Sequence, residues 1–201
     1  MHAPHEEGAA LSTLYVGDVH GCADELGELL QTAQASRVVL VGDLFTKGPD
    51  PQGVWDLIDA HACEAVLGNH DVYVLENWEL ASSQRAWLEA LPLFLEEGSR
   101  VVVHAGLHPH RGVAGTSREM ALTMRRFPEP DGPHWHTLWQ GPTCVIFGHD
   151  AVVGCVDKRV DGRPVAIGLD SGCVYGGALT GWLAEEDRFL SVPAKRAYRS
   201  I

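Results

Sequence analysis

No apolar run in the 201 residues approaches the ~18 that a membrane-spanning helix needs. The opening, Met1 to Ala10, holds two histidines and two glutamates but no apolar stretch, so it does not read as a secretory signal. It reads as a mobile tail (1–10) ahead of one domain over 11–201. Cysteine is sparse: Cys22, Cys63, Cys144, Cys155 and Cys173 are odd in number, scattered, and form no C-x-x-C pair. A reduced, cytoplasmic protein is the natural reading. Basic residues are also few. Fifteen Lys and Arg against 27 Asp and Glu leave a formal charge of −12. That balance disfavours membrane surfaces and non-specific nucleic-acid binding, because neutralising phosphates needs cations. Gly (22) and Pro (11) are too few for a low-complexity chain and enough for many tight loops. No internal repeat stands out.

What is present is a series of short apolar runs that stop abruptly at small and polar residues. Leu14-Tyr15-Val16 stops at Gly17-Asp18, and Val38 to Val41 at Gly42-Asp43. Ala65-Val66-Leu67 stops at Gly68-Asn69, and Val101-Val102-Val103 at His104-Ala105-Gly106. Val145-Ile146-Phe147 stops at Gly148-His149, and Val165 to Leu169 at Asp170-Ser171-Gly172. Runs this short and β-branched read as buried strands. Between them lie helical patterns: Ala23 to Ala35, Asp50-Pro51 through His61, Asp71 to Glu79, Ser82 to Leu91 and Thr116 to Arg126. Ala178 to Leu183 and Phe189 to Val192 alternate like a β-meander. The first half is βαβ-like and the second strand-rich, which predicts an α/β fold with two packed sheets flanked by helices. Ligands of open α/β sheets bind at the carboxyl ends of strands, and here each of six strand ends carries Asp, Asn or His.

Asp18-x-His20, Asp43, Asn69-His70-Asp71, His104 and His149 offer oxygen and imidazole donors, with no thiolate. Such donors suit Mn, Fe, Zn, Co or Ni better than a soft metal. Two ions about 3.5–4 Å apart that share a carboxylate can clamp the attacking and leaving oxygens of a phosphoryl transfer.

Gly17-Asp18-Val19-His20-Gly21, Gly42-Asp43, Gly68-Asn69-His70-Asp71, His104-Ala105-Gly106 and Gly148-His149 resemble the five signatures of calcineurin-like metallophosphoesterases. More narrowly they resemble the phosphoprotein phosphatase superfamily. The likeness runs from about Tyr15 to Leu183. Each piece alone is weak; five in order are highly specific. The resemblance implies an α/β/β/α sandwich with two mixed sheets and two divalent transition-metal ions, manganese foremost and iron, zinc, cobalt or nickel as other candidates. It implies that Asp18, His20 and Asp43 hold the first ion. Asp43, Asn69, His104 and His149 would hold the second, with Asp43 bridging. It implies a metal-bridging hydroxide as nucleophile, His70 as the acid that protonates the leaving oxygen, and phosphate contacts from Lys47, Arg125 and Asn69.

The departures narrow the group. Protein phosphatases usually follow the second Asp with x-x-Asp-Arg-Gly; here the text is Asp43-Leu44-Phe45-Thr46-Lys47-Gly48. Thr46 replaces the Asp that orients the catalytic His, and Lys47 replaces a bidentate Arg with a point charge. Leu169 to Thr180, and Met124-Arg125-Arg126 before Asp131-Gly132, resemble segments of symmetrical diadenosine tetraphosphatases. Lys47 with Phe147-Gly148-His149-Asp150-Ala151 looks most like the ApaH-like phosphatases. The chain is short for that group, so a long substrate-capping insertion is expected to be missing.

Blander readings stand beside these. Gly-Asp and Gly-Asn form turns, and a lone His after a strand is often a satisfied core residue. Lys47 reads alternatively as a solvated charge, Arg125 and Arg126 as an outer helix face, and Asp170 as a turn residue or a partner for a ligand histidine. His108, His110, His134 and His136 read as exposed loop residues, Cys22 as a small helix-start residue, and Trp135 and Trp139 as core. The leading expectation is hydrolysis of a phosphoanhydride such as diadenosine tetraphosphate. A phosphoprotein is the second substrate, and polyphosphate or capped RNA the third. A metal-poor binding module and a nuclease are the rival classes. Oligomeric state is not legible.

Overall fold

The computed structural model describes residues 12–200, so the tail expected over 1–10 lies outside the described residues. Strand β1 (Thr13–Val16) turns Leu14 and Val16 to one face and Tyr15 to the other. β2 (Arg37–Leu40) does the same with Val38 and Leu40 against Val39. β5 (Arg100–Val103) turns Val102 one way and Val101 and Val103 the other. β6 (Cys144–Phe147) repeats this with Ile146 against Val145 and Phe147. The alternation sorts the apolar side chains into three cores. The middle one, with Tyr15, Val39, Val41, Val102, Ile146, Ile167, Leu169 and Trp182, lies between two sheets. The outer two face helices.

The first sheet runs β10 (Arg188–Pro193), β9 (Ala178–Leu183), β1, β2 and β3 (Glu64–Ala65). The second runs β4 (Phe94–Glu97), β5, β6, β8 (Arg163–Gly168) and β7 (Val156–Val160). Both are mixed. β1, β2 and β3 are mutually parallel, as are β5, β6 and β8. Helices α1 (Ala23–Ala33), α2 (Pro51–Ala60), α3 (Asn69–Asn77) and α4 (Ser82–Glu89) cover the first sheet through Leu26, Leu29, Val54, Ile58, Val74 and Leu88. Helices α5 (Arg118–Thr123) and α6 (Trp135–Leu138) cover the second through Ala121 and Trp135. The layer order is the α/β/β/α sandwich that the sequence predicts.

Helix limits differ where side chains intervene. Asp50 caps α2 by accepting from Gly53 N at 2.8 Å, with Pro51 in the first turn. α1 stops at Ala33 because Gln34 takes a left-handed conformation. α5 is capped by Ser117 and ends at Thr123, short of the predicted Arg126. The Arg125 and Arg126 amides turn instead to Glu129 Oε1, at 2.8 and 2.9 Å. Both arginines therefore leave the helix. Strands β4 and β7 and helix α6 were not predicted.

At the end opposite the six polar strand termini, ion pairs tie the two sheets together. Arg37 on β2 holds Glu64 on β3 (2.6 Å) and Glu97 on β4. Arg100 on β5 holds Glu185 in the β9–β10 turn (2.8 Å).

Candidate metal centre

Parallel strands bring their carboxyl ends together, and the two sheets contribute different chemistry. From the first sheet come Asp18 and His20 after β1, Asp43 and Lys47 after β2, and Asn69 and His70 after β3. From the second come His104 after β5, His149 after β6 and Asp170 after β8. Most of the oxygen donors thus come from the first sheet, while both sheets contribute imidazoles.

At four termini the approach is so close that the residue before the donor, Gly17, Gly42, Gly68 or Gly148, must be glycine. A Cβ on Gly148 would lie 1.9 Å from Asp18 Oδ1, and one on Gly68 would lie 2.3 Å from Asp43 N. The backbone is also strained here. His20, Asp43, Lys47 and His149 all have positive φ, from 47° to 71°. Non-glycine residues held in this region cost on the order of 1–3 kcal/mol each and collect at functional sites.

Asp18, His20 and Asp43 place one donor atom each within 4.8 Å of one another, and so do Asp43, His104 and His149. Asp43 belongs to both groups. Its Oδ2 is 3.5 Å from His20 Nε2, and its Oδ1 is 3.4 Å from His104 Nε2. His149 N donates to both Asp18 oxygens at 3.1 and 3.2 Å. His104 Nδ1 donates to the Val41 carbonyl at 2.9 Å, which leaves Nε2 as a lone-pair donor. Around that nitrogen stand Asn69 Oδ1 at 2.9 Å and His149 Nδ1 at 3.2 Å. Oxygen and nitrogen lone pairs facing one another at these distances repel; a divalent cation among them turns the repulsion into coordination. The donor set therefore fits the metal ions that the sequence implies.

Burial sets the protonation states in the same sense. Desolvation raises Asp18 well above its ordinary value and pushes Asp43 up to about 7. Desolvation, aided by the charge of Lys47, lowers His20 to about 2. Desolvation lowers His149 to about 2, with His104 adding to it. Imidazoles that resist protonation are the form that binds metal, and a cation supplies the charge that buried carboxylates lack.

His70 N donates to Asp43 Oδ1 at 2.8 Å, and its ring meets His20 edge-on at 5.1 Å between centroids. Thr46, expected in place of the group that orients His70, stands instead 3.1 Å from His20 Nδ1. It fixes the ring of a candidate ligand. Lys47 Nζ lies 3.2 Å from His20 Nε2 and 5.3 Å from the Tyr175 ring centroid. Arg125 Nη2 donates to the His149 carbonyl at 3.3 Å. His70, Lys47 and Arg125 line a cleft of about 530 Å³ with Arg126, His134, Asp150 and Tyr175. Asp170 accepts from Gly172 N at 3.0 Å, the turn-residue geometry, while also lining the cleft.

Other expectations need correction. His136 is buried within α6, not exposed, because it packs on Phe147 and Trp135. His134 faces Asp150 across 3.6 Å at the cleft. His108 packs on Phe127 and does not line the cleft. Trp135 and Trp139 are core and Cys22 is the buried cap of α1, as expected. Sequence reasoning groups Asp71 with the donors and misses its structural role. Its fully buried carboxylate accepts from Asp43 N (2.8 Å), Leu44 N (2.9 Å) and Gly68 N (3.0 Å), which pins the Asp43 loop to α3. The signal was a carboxylate in the first turn of a helix beginning at Asn69, two residues earlier than predicted.

A two-sheet sandwich with a shared carboxylate between two buried donor groups defines a metal-dependent phosphohydrolase. The chain belongs to the calcineurin-like phosphoesterase family, whose model matches residues 11–171. It acts on phosphate esters or anhydrides with divalent metal ions. It is 28% identical to a symmetrical bis(5'-nucleosyl)-tetraphosphatase of Aromatoleum aromaticum, over 92% of this chain and 98% of the relative. That alignment spans 273 positions, more than the 201 residues here, so the relative carries segments this chain lacks. It is 26% identical to the asymmetrical bis(5'-nucleosyl)-tetraphosphatase PrpE of a Geobacillus strain, over 91% of this chain and 94% of the relative. A crystal structure of a candidate diadenosine tetraphosphatase superposes with a TM-score of 0.83 at 34% identity, covering 93% of this chain and 95% of that one. Among the described residues no helix is long and apolar enough to cross a membrane.

Proposed function

We propose that this chain hydrolyses a phosphoanhydride of a dinucleoside polyphosphate, of the diadenosine tetraphosphate kind, by symmetrical cleavage. The observation that carries the reading is the pairing of two donor groups sharing Asp43 with a cleft lined by Lys47, Arg125 and Arg126. Lys47 comes from the loop after β2, and Arg125 and Arg126 from the segment after α5, three cations in one cleft that suit a chain of phosphates. The relatives named above support the substrate class.

Asp18, His20 and Asp43 would hold one ion, and Asp43, Asn69, His104 and His149 the other, manganese being the ion expected. Bound there, the pair supplies Lewis acidity and a lowered pKa for water. The chain's own residues do the rest. Lys47 and Arg125 neutralise the non-bridging phosphate oxygens. Asn69 adds an amide N–H to the same oxygens while its Oδ1 faces His104. His70 holds the proton for the leaving oxygen at its imidazole nitrogen. Desolvation, then Lys47, lower His70 to about 4. An approaching phosphate opposes the Lys47 contribution and favours the protonated ring. The proposal places the chain in the cytoplasm, where its five unpaired thiols stay reduced.

The test is a hydrolysis panel with Mn²⁺ and then chelator, on diadenosine tetraphosphate, a phosphothreonine peptide and polyphosphate. ADP as the sole nucleotide product, lost on chelation and in His70→Asn, is the expected result. AMP plus ATP would overturn symmetrical cleavage. Preferred phosphate release from the peptide would move the activity to protein dephosphorylation.

A further inference from the structure

Behind the catalytic face lies a second donor cluster that the reaction does not use. Cys22 caps α1, Glu25 sits in the first turn of that helix, and Cys173 opens the short turn 173–175. One donor atom from each lies within 4.8 Å of the other two. All three are buried; Glu25 is 1% exposed. Its Oε1 accepts from Lys195 N at 2.9 Å and from the Tyr198 hydroxyl at 2.8 Å. Its Oε2 is buried with no hydrogen-bond partner among the described residues.

A carboxylate oxygen taken out of water and left unpaired is costly, so such atoms in native proteins have an identifiable reason. Neither neighbouring thiol supplies a strong one, since S–H is a weak donor. Two sulfurs and a carboxylate oxygen converging on one point are, in contrast, a donor set for a borderline-soft divalent ion. We propose that Cys22, Cys173 and Glu25 Oε2 form a further metal site for a thiophilic divalent cation of the zinc type. It differs from the reaction centre in donor chemistry, because no sulfur reaches that centre. Binding releases the thiol protons to solvent and involves no redox change.

The site has a clear structural consequence. It would tie α1 to the 173–175 turn, and through Glu25 Oε1 to the segment carrying Lys195 and Tyr198. Cys22 Sγ also stands 3.9 Å from the carbonyl of His20, so an ion here would brace the loop that presents a candidate ligand of the reaction centre.

The experiment uses the full chain, reduced with a phosphine and free of oxygen. Cobalt(II) loading should give the intense near-ultraviolet sulfur-to-cobalt charge-transfer band that nitrogen and oxygen ligands do not give. Zinc-edge X-ray absorption of the zinc-loaded protein should show sulfur scatterers at about 2.3 Å. The band should be lost in Cys22→Ser and in Cys173→Ser and kept in Cys155→Ser. Glu25→Gln, which preserves shape and the bonds to Oε1, should weaken it. Loaded wild-type protein with no such band and only nitrogen and oxygen scatterers at about 2.0–2.2 Å would overturn the site. So would a band that survives Cys173→Ser. The wild-type spectra decide the matter even where a variant fails to fold. They report sulfur ligation alone, so they stand apart from the outcome of the hydrolysis panel.

Discussion

Gly148→Ala puts the geometry of the centre to a sharp test. The added methyl would fall 1.9 Å from Asp18 Oδ1 and 2.7 Å from Val41 Cγ2. Ordinary C···O contacts lie at about 3.3–3.6 Å, so methyl and carboxylate must separate by about 1.4 Å or more. Neither has free room. Gly148 N is bonded to the His104 carbonyl at 2.8 Å, and the next amide, His149 N, is bonded to Asp18 itself. The clash therefore displaces Asp18, His149 or both, two candidate ligands of different ions. Overpacking of this kind costs about 1–3 kcal/mol of stability, which a domain of ordinary stability survives. Misplacing a reacting group by about 1 Å costs on the order of 100-fold in rate. The expected result is a folded protein by circular dichroism with kcat/KM down about 100-fold at saturating Mn²⁺ and a weaker metal affinity. Gly98→Ala is the control. No atom of the described residues stands within 4 Å of its Cβ, so its positive φ should cost about 1 kcal/mol of stability and leave the rate unchanged. Activity of Gly148→Ala within threefold of wild type would refute the reasoning (threefold being about 0.65 kcal/mol, below the effect expected).

Asp43→Asn should lose both ions and about 10³-fold or more in rate, since several kcal/mol of Lewis-acid stabilisation go with them. Mn²⁺ at about 100 times its Kd should stabilise wild type by about 2.7 kcal/mol, read as a rise in Tm, and should leave the variant's Tm unmoved. His70→Asn should lower kcat by about 10²–10⁴-fold with metal content unchanged; a parallel loss of metal would remove His70 from the proton role. Arg37→Met should lower Tm by about 2–4 °C, for about 1 kcal/mol lost from a partly exposed network. Arg37 holds the Glu97 carboxyl below its ordinary 4.5. That contribution is complete above the unfolded value and fades as pH falls through the folded one, so the Tm gap between wild type and variant should close in acid. A gap that widens in acid would contradict the assignment.

The chemistry of the centre was legible because sterics wrote it into the sequence. Before Asp18, Asp43, Asn69 and His149 the strand ends converge so closely that only glycine fits ahead of the donor. Gly-Asp, Gly-Asn and Gly-His are thus packing signals as well as turn signals. The buried parallel strands were legible for a related reason, being apolar on both faces. What escaped was at the margins. β4 reads Phe-Leu-Glu-Glu and β7 Val-Asp-Lys-Arg-Val, both outer strands of the second sheet, where charge guards an open edge and hides the β pattern. Four-residue α6 is too short to show a period. The end of α5 depended on Glu129, a residue that lies beyond the helix and redirects two amides. Asp71 stands in the sequence beside the candidate donors, whereas its three accepted bonds show a structural anchor. Thr46 took a partner that its position relative to Asp43 did not foretell. Likewise, the pairing of Cys22 with Cys173 across 151 positions has no local signature.

The most direct test of the account is anomalous diffraction from crystals grown with Mn²⁺. Two manganese peaks about 3.5–4 Å apart, with the Asp43 carboxylate between them, Asp18 and His20 on one and Asn69, His104 and His149 on the other, are the predicted result. A single peak, or two peaks that do not share Asp43, would contradict it.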